Sequence, residues 1–143
     1  MEKDIALHDN DLTAADLQRL RKLMGWHAPS GALVEKAVAN SLFTVTACWS
    51  GQVIAIGRLV GDGALIWYLQ DIIVDPRFHG RGIGRMIIER LLRFVNESID
   101  EGESASVALM AAKGKEGFYE KLGFKQRPDD THGPGMYMIL QKP

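Results

Sequence analysis

The stretch Val74-Asp-Pro-Arg-Phe-His-Gly-Arg-Gly-Ile-Gly-Arg85 decides how the rest of the chain is read. Before it runs the β-branched and aromatic segment Ala64–Val74. Pro76 closes that segment, because proline has no N–H for a ladder hydrogen bond and disfavours helix at its predecessor. After it, from about Gly82 to Ile99, the residues Ile83, Met86, Ile87, Arg90, Leu91, Phe94 and Val95 recur at helical spacing and predict the longest helix. A glycine-rich turn between a strand and a helix has mechanical meaning. Glycines let an anion approach the backbone, and the first N–H groups of the helix lack intrahelical acceptors at the positive end of its dipole. Arg77, Arg81 and Arg85 add charge to the same turn, so a phosphate or diphosphate is the natural guest. Two nucleotide motifs fit poorly: a dinucleotide fingerprint needs a third glycine where Arg85 stands, and a P-loop needs Gly-Lys-Ser/Thr. Taken alone, the turn is equally readable as a plain connection with solvated arginines.

Upstream, Leu42–Trp49, Val53–Val60 and Ala64–Val74 are strand-like runs separated by Ser50-Gly51 and Gly61-Asp62-Gly63, short connections that signal antiparallel hairpins. Before them lie a short strand near Asp4–His8 and two amphipathic helices. The first spans Thr13–Met24 with Leu17, Leu20, Leu23 and Met24 on one face, capped by Asp11 or Thr13 and stopped at Gly25. The second spans Gly31–Asn40 behind a Ser30 cap. Downstream, Glu103–Met110 reads as a strand and Gly114–Leu122 as a short helix ended by Gly123, with Phe124 placed for a Schellman-type contact. Extended pieces near Phe124–Arg127 and Met136–Gln141 flank the loop Pro128–Gly135. The resulting order, β-α-α-β-β-β-α-β-α-β-β, predicts one α+β domain over residues 1–143. Its sheet is expected to be mixed and mostly antiparallel, with one parallel crossover through the long helix.

Composition narrows the classes of function. The 143 residues are 46% apolar, enough for a core that stands alone, and 17 basic against 18 acidic residues leave a net charge of −1. No global attraction to nucleic acid or anionic membrane follows, so any anion site is local. The single cysteine, Cys48, has no intramolecular partner, no Cys/His spacing resembles a zinc site, and no apolar run approaches the ~20 residues of a membrane span. The N-terminus lacks the apolar core of a signal peptide, and a cytoplasmic setting is the expectation.

With these elements in place, His79-Gly80-Arg81-Gly82-Ile83-Gly84 resembles motif A of the GCN5-related N-acetyltransferase (GNAT) superfamily, Gln/Arg-x-x-Gly-x-Gly/Ala. Further on, Gly117-Phe118-Tyr119-Glu120-Lys121-Leu122-Gly123-Phe124 resembles the same superfamily's Phe/Leu-Tyr-x-Lys-x-Gly-Phe signature. The resemblance covers roughly Leu42 to Leu140. His79 departs from the usual Gln or Arg. Ala112 stands where many relatives carry an asparagine seven residues before the tyrosine, so that side chain's hydrogen bond to the cofactor is absent.

The resemblance implies acetyl-CoA as donor and no metal. The diphosphate is expected on His79, Gly80, Arg81, Gly82, Ile83, Gly84 and Arg85, mainly through backbone amides, and the pantetheine arm along Ile72, Ile73 and Val74 in the manner of an added strand. An N–H of that strand is expected to polarise the thioester carbonyl. Transfer would follow direct attack by a neutral primary amine, with Tyr119 the candidate general acid for the departing thiolate. Its alternative role is packing of the short helix. Asp71 is the first candidate base, ahead of Glu116 and His132; strand-end capping or the positioning of a cationic substrate are its alternatives. Cys48, in an apolar run without a base partner, reads as a structural thiol rather than a nucleophile.

Trp26, Trp67, Tyr68 and Tyr137 are either pocket lining or core, and the loop Pro128–Gly135 either shapes the acceptor entrance or is a plain hairpin turn. Asp71, Asp129 and Asp130 favour a small amine or amino-group metabolite as acceptor, with a peptide or lysine amine the alternative. The competing classes are a noncatalytic acyl-CoA-binding module that regulates a partner and a nucleotide-phosphate binder. Many relatives pair as dimers, which makes a homodimer the expectation.

Overall fold

A computed structural model describes residues 4–143. The chain divides into two compact units, Met1–Leu109 and Met110–Pro143. The first unit holds a five-stranded sheet in the order β1-β2-β3-β4-β5, formed by Ala6–Asp9, Phe43–Trp49, Gln52–Gly61, Trp67–Val74 and Val107–Ala108. The first four strands pair antiparallel, and β5 joins β4 in parallel. That parallel pairing is the crossover predicted from the sequence, made by the long helix that follows β4.

Helices cover the sheet in two layers. Helix α1 (Ala14–Leu23) starts at Thr13, whose hydroxyl accepts from the Asp16 N–H, and α2 (Gly31–Ala39) starts at Ser30, which accepts from the Leu33 N–H. Each cap satisfies a donor that the first turn cannot pair internally. Leu17 and Leu20 of α1, Val34 of α2, Leu12, Ile56 and Ile73 form one buried cluster, against which Trp26 also packs. Helix α3 (Ile83–Ser98) lies against β2, β3 and β4 and buries Ile83, Ile87, Ile88, Leu91 and Val95. Arg90 belongs to the same stripe for another reason: its guanidinium sits 4.8 Å from the centroid of Phe43 and binds Asp9 of β1.

Two boundaries differ from the sequence reading by more than two residues. The third strand begins at Trp67 rather than Ala64, because Asp62 Oδ1 accepts from the N–H groups of Ala64, Leu65 and Ile66 and folds them into a turn. The strand expected over Glu103–Met110 shrinks to Val107–Ala108, the residues that meet β4.

In the second unit, α4 (Glu116–Lys121) ends in a Schellman motif: Phe124 N–H donates to the Tyr119 carbonyl, Gly123 N–H donates to that of Glu120, and Gly123 has φ 101°. The Phe124 and Tyr119 rings meet edge-on at 5.9 Å, which is the hydrophobic contact anticipated for this motif. The extended pieces expected near Phe124–Arg127 and Met136–Gln141 form no strand; Met136–Leu140 are 78–86% exposed. Their apolar texture reports a propensity, and a strand also needs a ladder partner.

Candidate functional site

The glycine turn closes as its sequence suggests. Asp75 caps a single 3₁₀ turn, Pro76–Phe78, by accepting from the Arg77 N–H, and Phe78 anchors that turn in the core. Gly80 and Gly82 both have φ 77°, and a Cβ at either would meet nothing within 4 Å. Glycine is required there for backbone conformation, since an L-residue pays for the left-handed region. The space beside it is open. Gly82 is the N-cap of α3 and no side chain caps the helix among the described residues. The first intrahelical bond runs from Met86 N–H to the Gly82 carbonyl at 3.1 Å. The N–H groups of Ile83, Gly84 and Arg85 therefore precede any intrahelical acceptor. Ile83 is 1% exposed and pins this end of the helix to the sheet.

Much of the side-chain charge around the turn is already engaged. Arg77 binds the buried carboxylate of Asp75 with both its ε and η nitrogens, Arg85 pairs with Glu89 at 2.6 Å, and the Arg81 guanidinium lies 5.3 Å from the Phe78 centroid. The Arg77 guanidinium holds the Asp75 carboxyl below the usual carboxylate range. What the turn offers an anion is thus chiefly its set of N–H dipoles.

Strand β4 leads into this turn with one edge open. It meets β5 only at Trp67↔Val107 and Tyr68↔Ala108, and among the described residues no strand pairs with Leu69–Val74 on that side. Asp75 N–H donates to the Ile54 carbonyl of β3. By the alternation of a strand, Ile73 faces β3 too, whereas Ile72 and Val74 turn their backbone groups to the open edge. The Val74 carbonyl supports that assignment, since it takes a 2.7 Å hydrogen bond from His79 Nε2. His79 is thereby placed at the junction of open edge and glycine turn.

Asp71 interrupts β4 in a way periodicity cannot show. The register passes from Arg58↔Gln70 to Ile56↔Ile73, so Asp71 and Ile72 together oppose Gly57 in a β-bulge. Asp71 has φ 51°, in the left-handed region. Its side chain is 1% exposed, and its two oxygens accept from Arg21 Nη1 at 2.5 Å and Arg58 Nε at 3.0 Å. The sequence offered Asp71 as a proton acceptor; the structure shows both its oxygens committed to guanidinium donors. Arg21 and Arg58 were not singled out from sequence. The signal was present for Arg58, a charge inside the apolar run Val53–Val60.

The remaining candidates fall elsewhere. Tyr119 lies on α4 in the second unit, where burial raises its phenol above the ordinary value. Asp129 of the same unit accepts from the N–H groups of Thr131 and His132 and from the His132 ring, and its carboxyl is held down to about 2. That network organises the loop around Pro128–Gly135. Cys48 is half-buried, and burial raises its thiol. Trp67 is core, with Nε1 donating to the Ala64 carbonyl, while Tyr137 is 81% exposed. Among the described residues no group of His, Cys, Asp and Glu is placed to hold a metal, and no helix is long and apolar enough to cross a membrane.

Comparison with known proteins agrees with this geometry. The acetyltransferase (GNAT) domain family matches residues 39–126, well over half of the chain. An uncharacterized N-acetyltransferase of Pyropia yezoensis is 26% identical over 94% of this chain and 78% of its own length. Serotonin N-acetyltransferase 2 of Oryza sativa subsp. japonica is 36% identical over 65% of this chain, which spans 44% of that protein. Among solved structures, a probable acetyltransferase of Staphylococcus aureus superposes with a TM-score of 0.82 at 29% identity, covering 95% of this chain and 99% of that one. The mixed sheet, the glycine turn at the start of α3 and these relatives together establish that the chain belongs to the GNAT family of acetyltransferases, whose acetyl donor is acetyl-CoA.

Proposed function

We propose that this acetyltransferase acts on a primary amine, a small amine or amino-group metabolite, by direct attack on the thioester of acetyl-CoA. The carrying observation is the open edge of β4 running into a glycine turn where left-handed Gly80 and Gly82 leave open space and the N–H groups of Ile83, Gly84 and Arg85 precede any intrahelical acceptor. These residues fit the donor: the amides of Ile83, Gly84 and Arg85 suit its diphosphate, and the outward backbone groups of Ile72 and Val74 suit its amide-bearing arm. Bound acetyl-CoA supplies an acetyl group activated as a thioester.

The chain's own residues do the rest. An outward N–H of the bulge region holds the thioester oxygen, where a positioned donor is worth about 100-fold or more in rate. His79 holds the Val74 carbonyl and so fixes the end of the pairing edge. Tyr119 donates its proton to the departing sulfur, and a phenol raised by burial arrives at neutral pH still carrying that proton. The 36% identity to a serotonin N-acetyltransferase supports a small amine as acceptor.

Calorimetry with CoA, followed by an acceptor screen with free-thiol detection, tests this reading. Small amines are expected to release thiol faster than lysine peptides, and Tyr119→Phe is expected to lower kcat about tenfold or more. CoA binding without turnover on any amine would leave a noncatalytic acyl-CoA-binding module instead.

A further inference from the structure

We propose that Arg21, Asp71 and Arg58 form a positioning device that sets the β4 bulge, and with it the direction of the Ile72 and Val74 backbone groups, from the layer formed by α1 and α2. The inference rests on the acetyl-transfer reading above and adds residues that touch neither donor nor acceptor in it.

Three observations carry it. First, Asp71 holds a left-handed backbone conformation, φ 51°, that costs a non-glycine residue roughly 1–2 kcal/mol and persists only where its surroundings over-determine it. Second, the surroundings do so: each carboxylate oxygen is held by a different guanidinium, and those guanidiniums come from different elements. Arg58, beside Gly57 on β3, also donates to the Ala37 carbonyl and the Ser41 hydroxyl at the end of α2. Arg21, on α1, also donates to the His27 carbonyl and lies 5.8 Å from the Trp26 centroid. One carboxylate thus joins β4, β3, α1, the α1–α2 connection and the end of α2.

Third, the residue after Asp71 is Ile72, whose outward backbone groups sit at the open edge. A rotation at Asp71 is transmitted directly to the Ile72 N–H. A hydrogen bond to a developing oxyanion needs its donor within about 2.7–3.1 Å of the oxygen, so a small rotation matters to the chemistry while leaving the glycine turn on α3 untouched. The device divides the work: the glycine turn on α3 holds the diphosphate, and the triad aligns the Ile72 and Val74 groups that meet the end of the arm and the thioester.

The test uses Asp71→Asn, Arg21→Gln and their combination in the full chain. For Asp71→Asn, kcat is expected to fall about tenfold to 100-fold with the calorimetric Kd for CoA within about threefold of wild type. The ascending limb of the pH–rate profile is expected to survive. Because the members act as one unit, the double variant is expected to be no slower than the worse single variant by more than about threefold. Loss of the ascending limb in Asp71→Asn would make Asp71 the base and overturn the proposal. So would unchanged kcat in a folded variant, which leaves the triad a purely structural element. Arg21→Gln, at a partly exposed side chain, serves where Asp71→Asn does not fold. An activity-free readout stands beside these: the amide resonances of Ile72 and Val74 are expected to move in the same direction in both single variants without ligand. Unmoved resonances overturn the inference, whereas moved resonances in a protein that shows no turnover sustain it and reject only the acetyl-transfer reading.

Discussion

Replacing Gly57 by alanine is the most direct probe of how α3 is seated. Gly57 is outside the left-handed region, so its lack of a side chain is a matter of space rather than backbone freedom. A Cβ there would lie 2.6 Å from Ile87 Cγ2, 2.9 Å from Leu91 Cδ1 and 3.0 Å from Ile72 Cδ1. Carbon atoms pack at about 3.5–4.0 Å, so the overlap at Ile87 is about 0.9 Å. The Cδ1 atoms are far ends of flexible chains and swing aside. Ile87 Cγ2 is one bond from its own Cβ on a stiff β-branched rotor, and Ile87 is fully buried. Relief therefore requires α3 to lift from β3. Overpacking of this kind costs about 1–3 kcal/mol, offset by about 0.4–1 kcal/mol from the reduced freedom of the unfolded chain. Mid-range values leave a net loss of about 1.3 kcal/mol, which at about 2–4 °C per kcal/mol lowers the melting temperature by about 3–5 °C. Adding Ile87→Leu, which removes the offending methyl at nearly constant volume, should restore at least half of the loss in a thermal melt. An alanine variant as stable as wild type, or one that Ile87→Leu fails to rescue, refutes the account.

Two further outcomes follow from the turn. Gly82→Ala forces a side chain into φ 77° at roughly 1–2 kcal/mol and places a methyl where an anion approaches, so CoA affinity by calorimetry should weaken about tenfold or more. Gly25→Ala, at φ 72° with equally open space, is the matched control and should lose similar stability with unchanged CoA affinity. Asp75, held below its usual range by Arg77, contributes stability that is fully present above the unfolded carboxylate value of about 4 and is lost as pH falls through the lower folded value. Urea unfolding between pH 5 and pH 3 should therefore show a shallower loss for Asp75→Asn than for wild type.

What the sequence made legible was whatever periodicity and punctuation encode. The cap at Ser30, the parallel crossover through α3 and the Schellman stop at Gly123 are all found, and of the two caps offered for α1, Asp11 and Thr13, the structure uses Thr13. What it hid depends on partners distant in the chain. Leu65 and Ile66 look like strand residues, yet Asp62 gathers their N–H groups and leaves their side chains 83% and 61% exposed. Met136–Leu140 alternate little and are apolar throughout, but among the described residues no ladder partner makes them a strand. Asp71 reads as an acid on the cofactor strand; its guanidinium partners stand 50 and 13 residues away and were invisible to any local pattern.

The bulge also explains why neighbouring residues of β3 and β4 differ so sharply in chemistry. On β3, Gly57 faces Ile87 and Leu91 of α3, and the next residue, Arg58, faces the end of α2. On β4, Asp71 meets Arg21 of α1, and the next residue, Ile72, reaches toward the Gly57 side. Each strand thus devotes one residue to the apolar layer under α3 and its neighbour to the Arg21–Asp71–Arg58 cluster under α1 and α2. Because side chains alternate faces, a slip of one residue in either strand would put a guanidinium against Ile87 or leave Asp71 buried without a counter-charge, each a cost of several kcal/mol. The charged triad therefore fixes the register at the place where an extra residue is inserted.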